Sequence, residues 1–254
     1  MNTKFEAYYR GIYGSRWEGL RASLLEPMTG TAYIKGLRSP YMLDKASVLA
    51  ALSLRLPPEG IMLDACAAPG GKSLVIASVM GPELRLLSNE LSRERRRRLT
   101  KVLDEHLDVE VRSRVIVSGF DAAAQGGKRG EWGRFGGILL DAPCSSERHV
   151  IQNKGALEKW TPARPRFLAK RQWALLSASF RLLQRGGSLV YVTCALSPEE
   201  NDGVAARLWE KYGDALMQDE VDFREGEKTQ FGRILLPDRT EGMGPLYVTR
   251  FKKR

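Results

Sequence analysis

The chain has 254 residues, 43% of them hydrophobic and 28% charged, with 40 Lys and Arg against 30 Asp and Glu for a formal net charge of +10. That predicts one large globular domain with a small extension, and the basic excess points to an anionic partner, nucleic acid first. Three cysteines argue against a disulfide framework. The opening Met1-Asn2-Thr3-Lys4-Phe5-Glu6 lacks the apolar core of a secretory signal, and no apolar run approaches the ~20 residues of a membrane span, so a reducing cytoplasm is the expected location.

Residues 1–57 are mixed. Trp17–Leu25 reads as a short amphipathic helix, Met28–Tyr41 as a loop, and Asp44 as the N-cap of a second helix that Pro57-Pro58 closes. From Gly60 the pattern alternates between strand and helix. Ile61–Asp64 is an apolar strand, and Gly70-Gly71 leads into a helix over Lys72–Met80. Leu84–Ser88 is the next strand, and Ser92 caps a helix towards His106. Val115–Val117 and Gly137–Leu140 follow, separated by a Gly-rich charged loop over Gln125–Gly136. A long helix spans Arg166–Gln184, Ser188–Val192 is a fifth strand, and Pro198 opens a helix through Trp209. Phe231–Leu236 and Leu246–Phe251 have strand character. Alternation of this kind predicts βαβ units and a mostly parallel sheet. Arg93–Arg98 reads as a solvated face of the helix after the second strand, with phosphate contact as the alternative.

The three cysteines each close an apolar run: Ile61–Cys66, Ile138–Cys144 and Leu189–Cys194. If the runs are parallel strands, all three thiols lie at the carboxyl edge of one sheet, where open α/β sheets bind ligands. Beside the first lies Ala67-Ala68-Pro69-Gly70-Gly71-Lys72-Ser73, a strand-to-helix loop with two readings. A P-loop would need glycine where Cys66 stands. An S-adenosylmethionine site would set the methionine part over this loop and needs an acid at the end of the second strand for the ribose hydroxyls. Glu90 is in that position. Asp121, after the third strand, could reach the adenine edge, although a turn aspartate is the commoner explanation for it alone. The two glycines would let a ligand approach the backbone closely.

Asp64-Ala65-Cys66-Ala67-Ala68-Pro69-Gly70-Gly71-Lys72, Asp141-Ala142-Pro143-Cys144-Ser145-Ser146 and Tyr191-Val192-Thr193-Cys194, with Glu200-Asn201 after them, resemble the RNA cytosine-5 methyltransferases of the Sun/nucleolar-protein type. Glu147-Arg148-His149, Gly244-Pro245-Leu246-Tyr247, Tyr8-Tyr9, Trp17 and Arg21–Leu25 look most like the short members typified by the mitochondrial rRNA and tRNA enzymes. The resemblance implies a Rossmann-like class I methyltransferase domain, α/β, with a mostly parallel seven-stranded sheet and an antiparallel last strand. It would occupy residues 41–254, after an N-terminal helical extension over 1–40. The implied cofactor is S-adenosylmethionine, held by Cys66, Ala67, Ala68, Pro69, Gly70, Gly71, Lys72, Glu90, Arg95, Asp121 and Asp141, with no metal.

The implied reaction forms 5-methylcytosine through a covalent adduct of a cysteine with cytosine carbon 6. The resemblance makes Cys194 the nucleophile and gives Cys144 a part in product release. Asp141 would contact ring N3 and the amino group, and Lys72 would orient Asp141. Cys66 would contribute backbone to the cofactor loop, and Asn201 would brace the segment after Cys194. The target base must be unstacked, and Lys35, Arg38, Lys45, Arg148, Lys154, Arg164 and Arg166 are candidates to hold the flanking backbone. The expected substrate is rRNA, with tRNA second, and the expected state is a monomer. A non-catalytic ribosome assembly factor is the competing class. An appended RNA-binding domain is not evident, so RNA recognition would fall to the core and its extension, or to a partner or preassembled ribosomal particle.

Overall fold

The computed structural model describes residues 2–28, 30–127, 129–131 and 133–254. Helix α1 (Thr3–Tyr13) starts at Asn2, whose side chain accepts from the amides of Lys4 and Phe5. A 3₁₀ turn joins it to α2 (Trp17–Leu25), which has the expected bounds. The segment expected to be a loop contains a small antiparallel pair, β1 (Thr31–Tyr33) with β2 (Tyr41–Leu43). Asp44 caps α3 (Lys45–Leu52) as expected, but the helix ends well before Pro57.

The alternating region follows in the predicted order. It runs β3 (Gly60–Asp64), α4 (Gly71–Val79), β4 (Leu84–Asn89), α5 (Arg93–His106), α6 (Val109–Ser113), β5 (Val115–Ser118), α7 (Ala122–Gln125) and β6 (Phe135–Asp141). Ser92 caps α5, its hydroxyl accepting from the Arg95 amide. Lys128 and Trp132, in the expected Gly-rich loop, lie outside the described residues. Beyond β6 come α8 (Glu147–Gln152), α9 (Lys154–Lys159), the long α10 (Ala163–Leu182), β7 (Leu183–Thr193) and α11 (Asp202–Tyr212). The last helix starts four residues after Pro198, because residues 198–201 form a turn first. Strands β8 (Leu216–Asp219), β9 (Glu227–Lys228), β10 (Arg233–Leu235) and β11 (Leu246–Lys253) end the chain.

The main sheet is nine-stranded in the order β5-β4-β3-β6-β7-β11-β10-β9, with β8 also on β11. Neighbours from β5 to β7 are parallel, and β11 is antiparallel to β7. The seven expected strands are therefore present. The expected strand at 231–236 appears as β10, on the start of β11, and the two strands not expected are β8, on the end of β11, and the short β9, on β10. Strand alternation splits the core. Met62, Leu86, Leu139, Val190 and Val248 face α3, α4 and α5, whereas Leu63, Leu87, Ile138, Leu140, Tyr191 and Tyr247 face α10 and α11. A third cluster joins Phe5, Tyr9, Trp17, Leu20 and Leu24 to Val150, Ile151, Trp160, Leu196 and Leu236, so α1 and α2 pack on the segments that follow β6 and β7.

Candidate active site

Strands β3, β6 and β7 are adjacent and parallel, and each ends just before one cysteine. The three thiols therefore share one sheet edge. A cleft of about 510 Å³ opens there. Its walls include Asp64, Cys66–Pro69, Gly71, Lys72, Asp141, Ser146 and Cys194, with Tyr41 and Met42 from the β1–β2 hairpin and His149 from α8.

The loop after β3 is held by backbone bonds: the Ala65 amide donates to Leu139 O at 2.9 Å, and the Ala67 amide donates to Asn89 O at 2.9 Å. Gly70 has φ +122°, a conformation that favours glycine. A Cβ there would lie 3.0 Å from Val102 Cγ1, and one on Gly71 would lie 3.0 Å from the Tyr41 ring. The space that the two glycines leave is therefore filled by α5 and Tyr41.

Asp64 is fully buried. Its Oδ2 accepts from Ser73 Oγ at 2.7 Å, while Oδ1 has no hydrogen-bond partner. Burial pushes its carboxyl up to about 7, against the lowering effect of Ser73. The position carried no expected role, because a strand-end aspartate inside a longer motif gives no separate signal. Next to it, Lys72 Nζ donates to Asp141 Oδ2 at 2.7 Å. Burial acts to lower the Lys72 ammonium, and the Asp141 carboxylate overrides it, so its pKa is raised.

Glu90 stands at the end of β4, buried, with Oε1 accepting from the Ser92 amide at 2.9 Å. Its Oε2 has an ion pair to Arg95 at 3.2 Å but no hydrogen bond. Arg95 also donates to Ala68 O at 2.7 Å, so it ties the acid to the loop. Arg96 donates to the carbonyls of Glu90 and Leu91. Two of the five arginines of the expected solvated face thus brace this corner. Asp121 is exposed and caps α7, accepting from the Ala123 amide. Glu90, Arg95, Asp121 and Gly70 are not among the residues lining the cleft.

The other two thiols are in contact. Cys144 Sγ lies 2.7 Å from Cys194 Sγ and accepts from the Cys194 amide at 3.2 Å. Ser146 Oγ is 3.2 Å from Cys194 Sγ and 3.6 Å from Cys144 Sγ. Ser146 adopts φ +53°, ψ +56°, a left-handed conformation that turns its hydroxyl onto the pair. The contact with Cys194, together with burial, pushes the Cys144 thiol well up. At Cys66, burial and the Asp141, Asp64 and Glu90 charges push the thiol up to about 12.

The segments behind the two thiols are bound to each other. Glu147 accepts from the Leu196 amide at 3.0 Å and from the Tyr9 hydroxyl. Glu200 accepts from the Ser145 amide at 3.0 Å, from Gln172 Nε2 at 2.7 Å and from the Ser145 hydroxyl. Both glutamates are 0% exposed. Asn201 braces the segment after Cys194 as expected, accepting from Thr193 Oγ1 at 2.5 Å and donating to Ala195 O at 2.9 Å.

The expected basic surface is divided. Lys35, Lys45, Lys154 and Arg164 are exposed. Arg38 donates to the carbonyls of Asp104 and Glu105, and Arg166 faces Glu199 at 3.8 Å. Arg148 is half-buried and donates to the carbonyls of Gly244 and Ser23, so it fastens α8 to its neighbours.

A family model described as 16S rRNA methyltransferase RsmB/F matches residues 51–252. The ribosomal RNA small subunit methyltransferase F of Aeromonas salmonicida is 37% identical over 208 residues, 79% of this chain and 42% of that protein. Its counterpart in Escherichia coli O157:H7 is 38% identical over 194 residues, 76% of this chain and 38% of that one. The chain thus spans about two fifths of the length of these curated relatives. Among solved structures, NSun6 from Pyrococcus horikoshii with SFG aligns with a TM-score of 0.71 at 25% identity, over 87% of this chain and 54% of that one. A methyltransferase homolog from the same organism aligns with a TM-score of 0.73 at 20% identity, over 97% of this chain and 93% of that one. The Rossmann-like methyltransferase fold and the resemblance drawn from the three cysteine motifs are both borne out. The chain belongs to the 16S rRNA methyltransferase RsmB/F family.

Proposed function

We propose that this chain is an S-adenosylmethionine-dependent RNA cytosine-5 methyltransferase acting on small-subunit rRNA, working as a monomer in the cytoplasm, with residues 41–254 as its catalytic domain. One observation carries the reading. Cys194, with Cys144 in contact behind it, opens on the same cleft as the Lys72–Asp141 pair and the 66–72 loop. Family membership supports the rRNA substrate. Among the described residues, no helix is long and apolar enough to cross a membrane.

The residues around the loop fit the cofactor. Asp64 Oδ1 and Glu90 Oε2 are buried acceptors with unmet hydrogen-bonding capacity at the ends of adjacent strands. Polar groups of a bound ligand satisfy such atoms, so Asp64 would take the amino group and Glu90 the ribose hydroxyls. The loop 66–71 would hold the methionine part, with Lys72 and Asp141 at its inner side, Arg95 fixing Glu90, and Asp121 offering its exposed carboxylate to the adenine edge. When bound, S-adenosylmethionine supplies an electrophilic methyl group for carbon 5 of cytosine.

The chain's own residues prepare the base. The Cys194 thiolate adds to carbon 6, forming a sulfur–carbon bond and making carbon 5 enamine-like. Asp141, fixed by Lys72, meets ring N3 and the exocyclic amino group and stabilises the adduct. After methylation, the carbon 5 proton leaves and the sulfur–carbon bond breaks, restoring the aromatic ring. Cys144, held against Cys194 Sγ, gives its proton to the departing sulfur and, as the thiolate so formed, takes up the carbon 5 proton, so that both thiols end as they began.

Incubation of the purified protein with tritiated S-adenosylmethionine and 16S rRNA, small subunits, assembly intermediates or tRNA tests the reading. Label recovered as 5-methylcytosine in rRNA is the expected result. Label only in tRNA moves the substrate, and no label in any RNA returns the chain to an assembly factor.

A further inference from the structure

We infer that Glu147 and Glu200 form a reciprocal latch that sets the distance between the Cys144 and Cys194 sulfurs, with Tyr9 of α1 as its third member. Glu147 lies three residues after Cys144 and binds the amide two residues after Cys194. Glu200 lies six residues after Cys194 and binds the amide and hydroxyl of the residue after Cys144. Each cysteine segment thus carries the acid that anchors the other. Neither glutamate lines the cleft, so both are positioning residues and not catalytic ones.

The chemistry of the buried pair argues for such a task. Two carboxyl groups with no solvent exposure are costly to hold, and burial raises the pKa of both. Apolar side chains would fill the space at lower cost, but would leave the Leu196 and Ser145 amides without partners. Gln172 completes the arrangement from α10, donating both to Glu200 and to Pro143 O at 2.9 Å. Tyr9 completes it from the N-terminal side, its ring packed among Phe5, Trp17 and Trp160. The first helix is thereby coupled to the spacing of two thiols without touching either segment's cysteine.

Sulfur spacing can be read without RNA. Diamide takes two electrons and two protons from a thiol pair and becomes the hydrazine, leaving a disulfide whose rate of formation depends on how the sulfurs are held. In the full chain, Cys144 and Cys194 should join rapidly, detected by peptide mass. Glu147→Ala and Glu200→Ala should slow that step by about tenfold or more, since small misplacements of reacting atoms carry large rate costs. Glu147→Gln and Glu200→Gln should restore it. A glutamine oxygen still accepts from the backbone amide, and its NH2 turns to the Tyr9 or Ser145 oxygen. Tyr9→Phe, which keeps the ring, gives a milder variant that should slow the step less.

The kinetic consequence rests on the methyltransferase reading: the alanine variants should lose kcat with the RNA KM unchanged. Alanine variants that oxidise as fast as the parent, or glutamine variants as slow as alanine, would overturn the latch. Latch-dependent oxidation in a chain that methylates no RNA would leave the latch standing and remove the functional reading alone.

Discussion

Cys144 Sγ lies 2.7 Å from Cys194 Sγ, yet Cys194 lines the cleft and Cys144 is not among the lining residues. That asymmetry assigns different fates to two otherwise similar variants. Cys194→Ala removes the nucleophile, and methyl transfer should fall by roughly 10⁴-fold or more, as for other covalent catalysts stripped of theirs. Cys144→Ala leaves the attack intact and impairs elimination, so a protein–RNA adduct should accumulate. A denaturing gel reads this directly as a shifted, RNase-sensitive band. The reverse pattern would exchange the two roles.

Lys72 and Asp141 should fail in a different way. Lys72→Met removes the ammonium that fixes Asp141 Oδ2 and leaves a carboxylate with no cation at that oxygen. Loss of one preorganised electrostatic group typically costs on the order of 10²–10³ in kcat. Asp141→Asn should cost as much, while retaining one acceptor for Lys72. Single-turnover methylation separates these effects from binding: the chemical step should slow in both variants while RNA affinity holds.

Much of this site is written locally. The strands ending in Asp64, Asp141 and Thr193 are apolar runs, and the caps Asp44 and Ser92 are polar residues at helix starts. Each is legible because its cause lies within a few residues. What stays hidden depends on partners far along the chain. Glu147 and Glu200 stand in the motifs that carry the resemblance, but nothing near them in sequence shows that the fold brings Leu196 and Ser145 to them. Phe5 and Tyr9 belong to the expected N-terminal extension, but their packing partners Trp160 and Val150 lie about 150 residues away, so no local pattern marks them as core. Strands β1 and β2 are three residues each and largely exposed, so no alternation marks them. Arg148 resembles a free cation, and carbonyls of distant segments claim it.

The buried acids predict how stability responds to pH. Asp64 is raised from 3.8 to about 7, and Glu200 from 4.5 to about 8, both by burial first. A raised carboxyl holds its proton in the folded state while the unfolded chain has already released it. The stabilisation is therefore complete below the unfolded values and is lost as pH rises through the folded ones. The melting temperature should decline between about pH 4 and pH 8. Asp64→Asn and Glu200→Gln should each flatten part of that slope. A melting temperature rising across this window would contradict the buried, protonated assignment.

The N-terminal helices should prove integral to stability. Trp17 is fully buried, stacks on Tyr9 and donates from Nε1 to Glu6 Oε2 at 2.7 Å, while Arg21 holds the other oxygen of Glu6. Trp17→Ala should cost about 3–5 kcal/mol in urea denaturation, the usual range for a large aromatic lost from a core. An unchanged midpoint would mean that α1 and α2 are an appendage.

Cys66 completes the set as the thiol without a proposed reaction. Its thiol is pushed up to about 12 by burial and by the neighbouring Asp141, Asp64 and Glu90 charges, so at neutral pH it stays protonated and a poor nucleophile. The loop around it is fastened through backbone, by the Ala65 and Ala67 amides. Cys66→Ala should therefore retain methyl transfer within a few-fold. Iodoacetamide at neutral pH should label Cys194 well ahead of Cys66, with peptide mass locating the modification. Preferential labelling at Cys66, or loss of activity in Cys66→Ala, would place a reactive sulfur in the cofactor loop and return the third thiol to the chemistry.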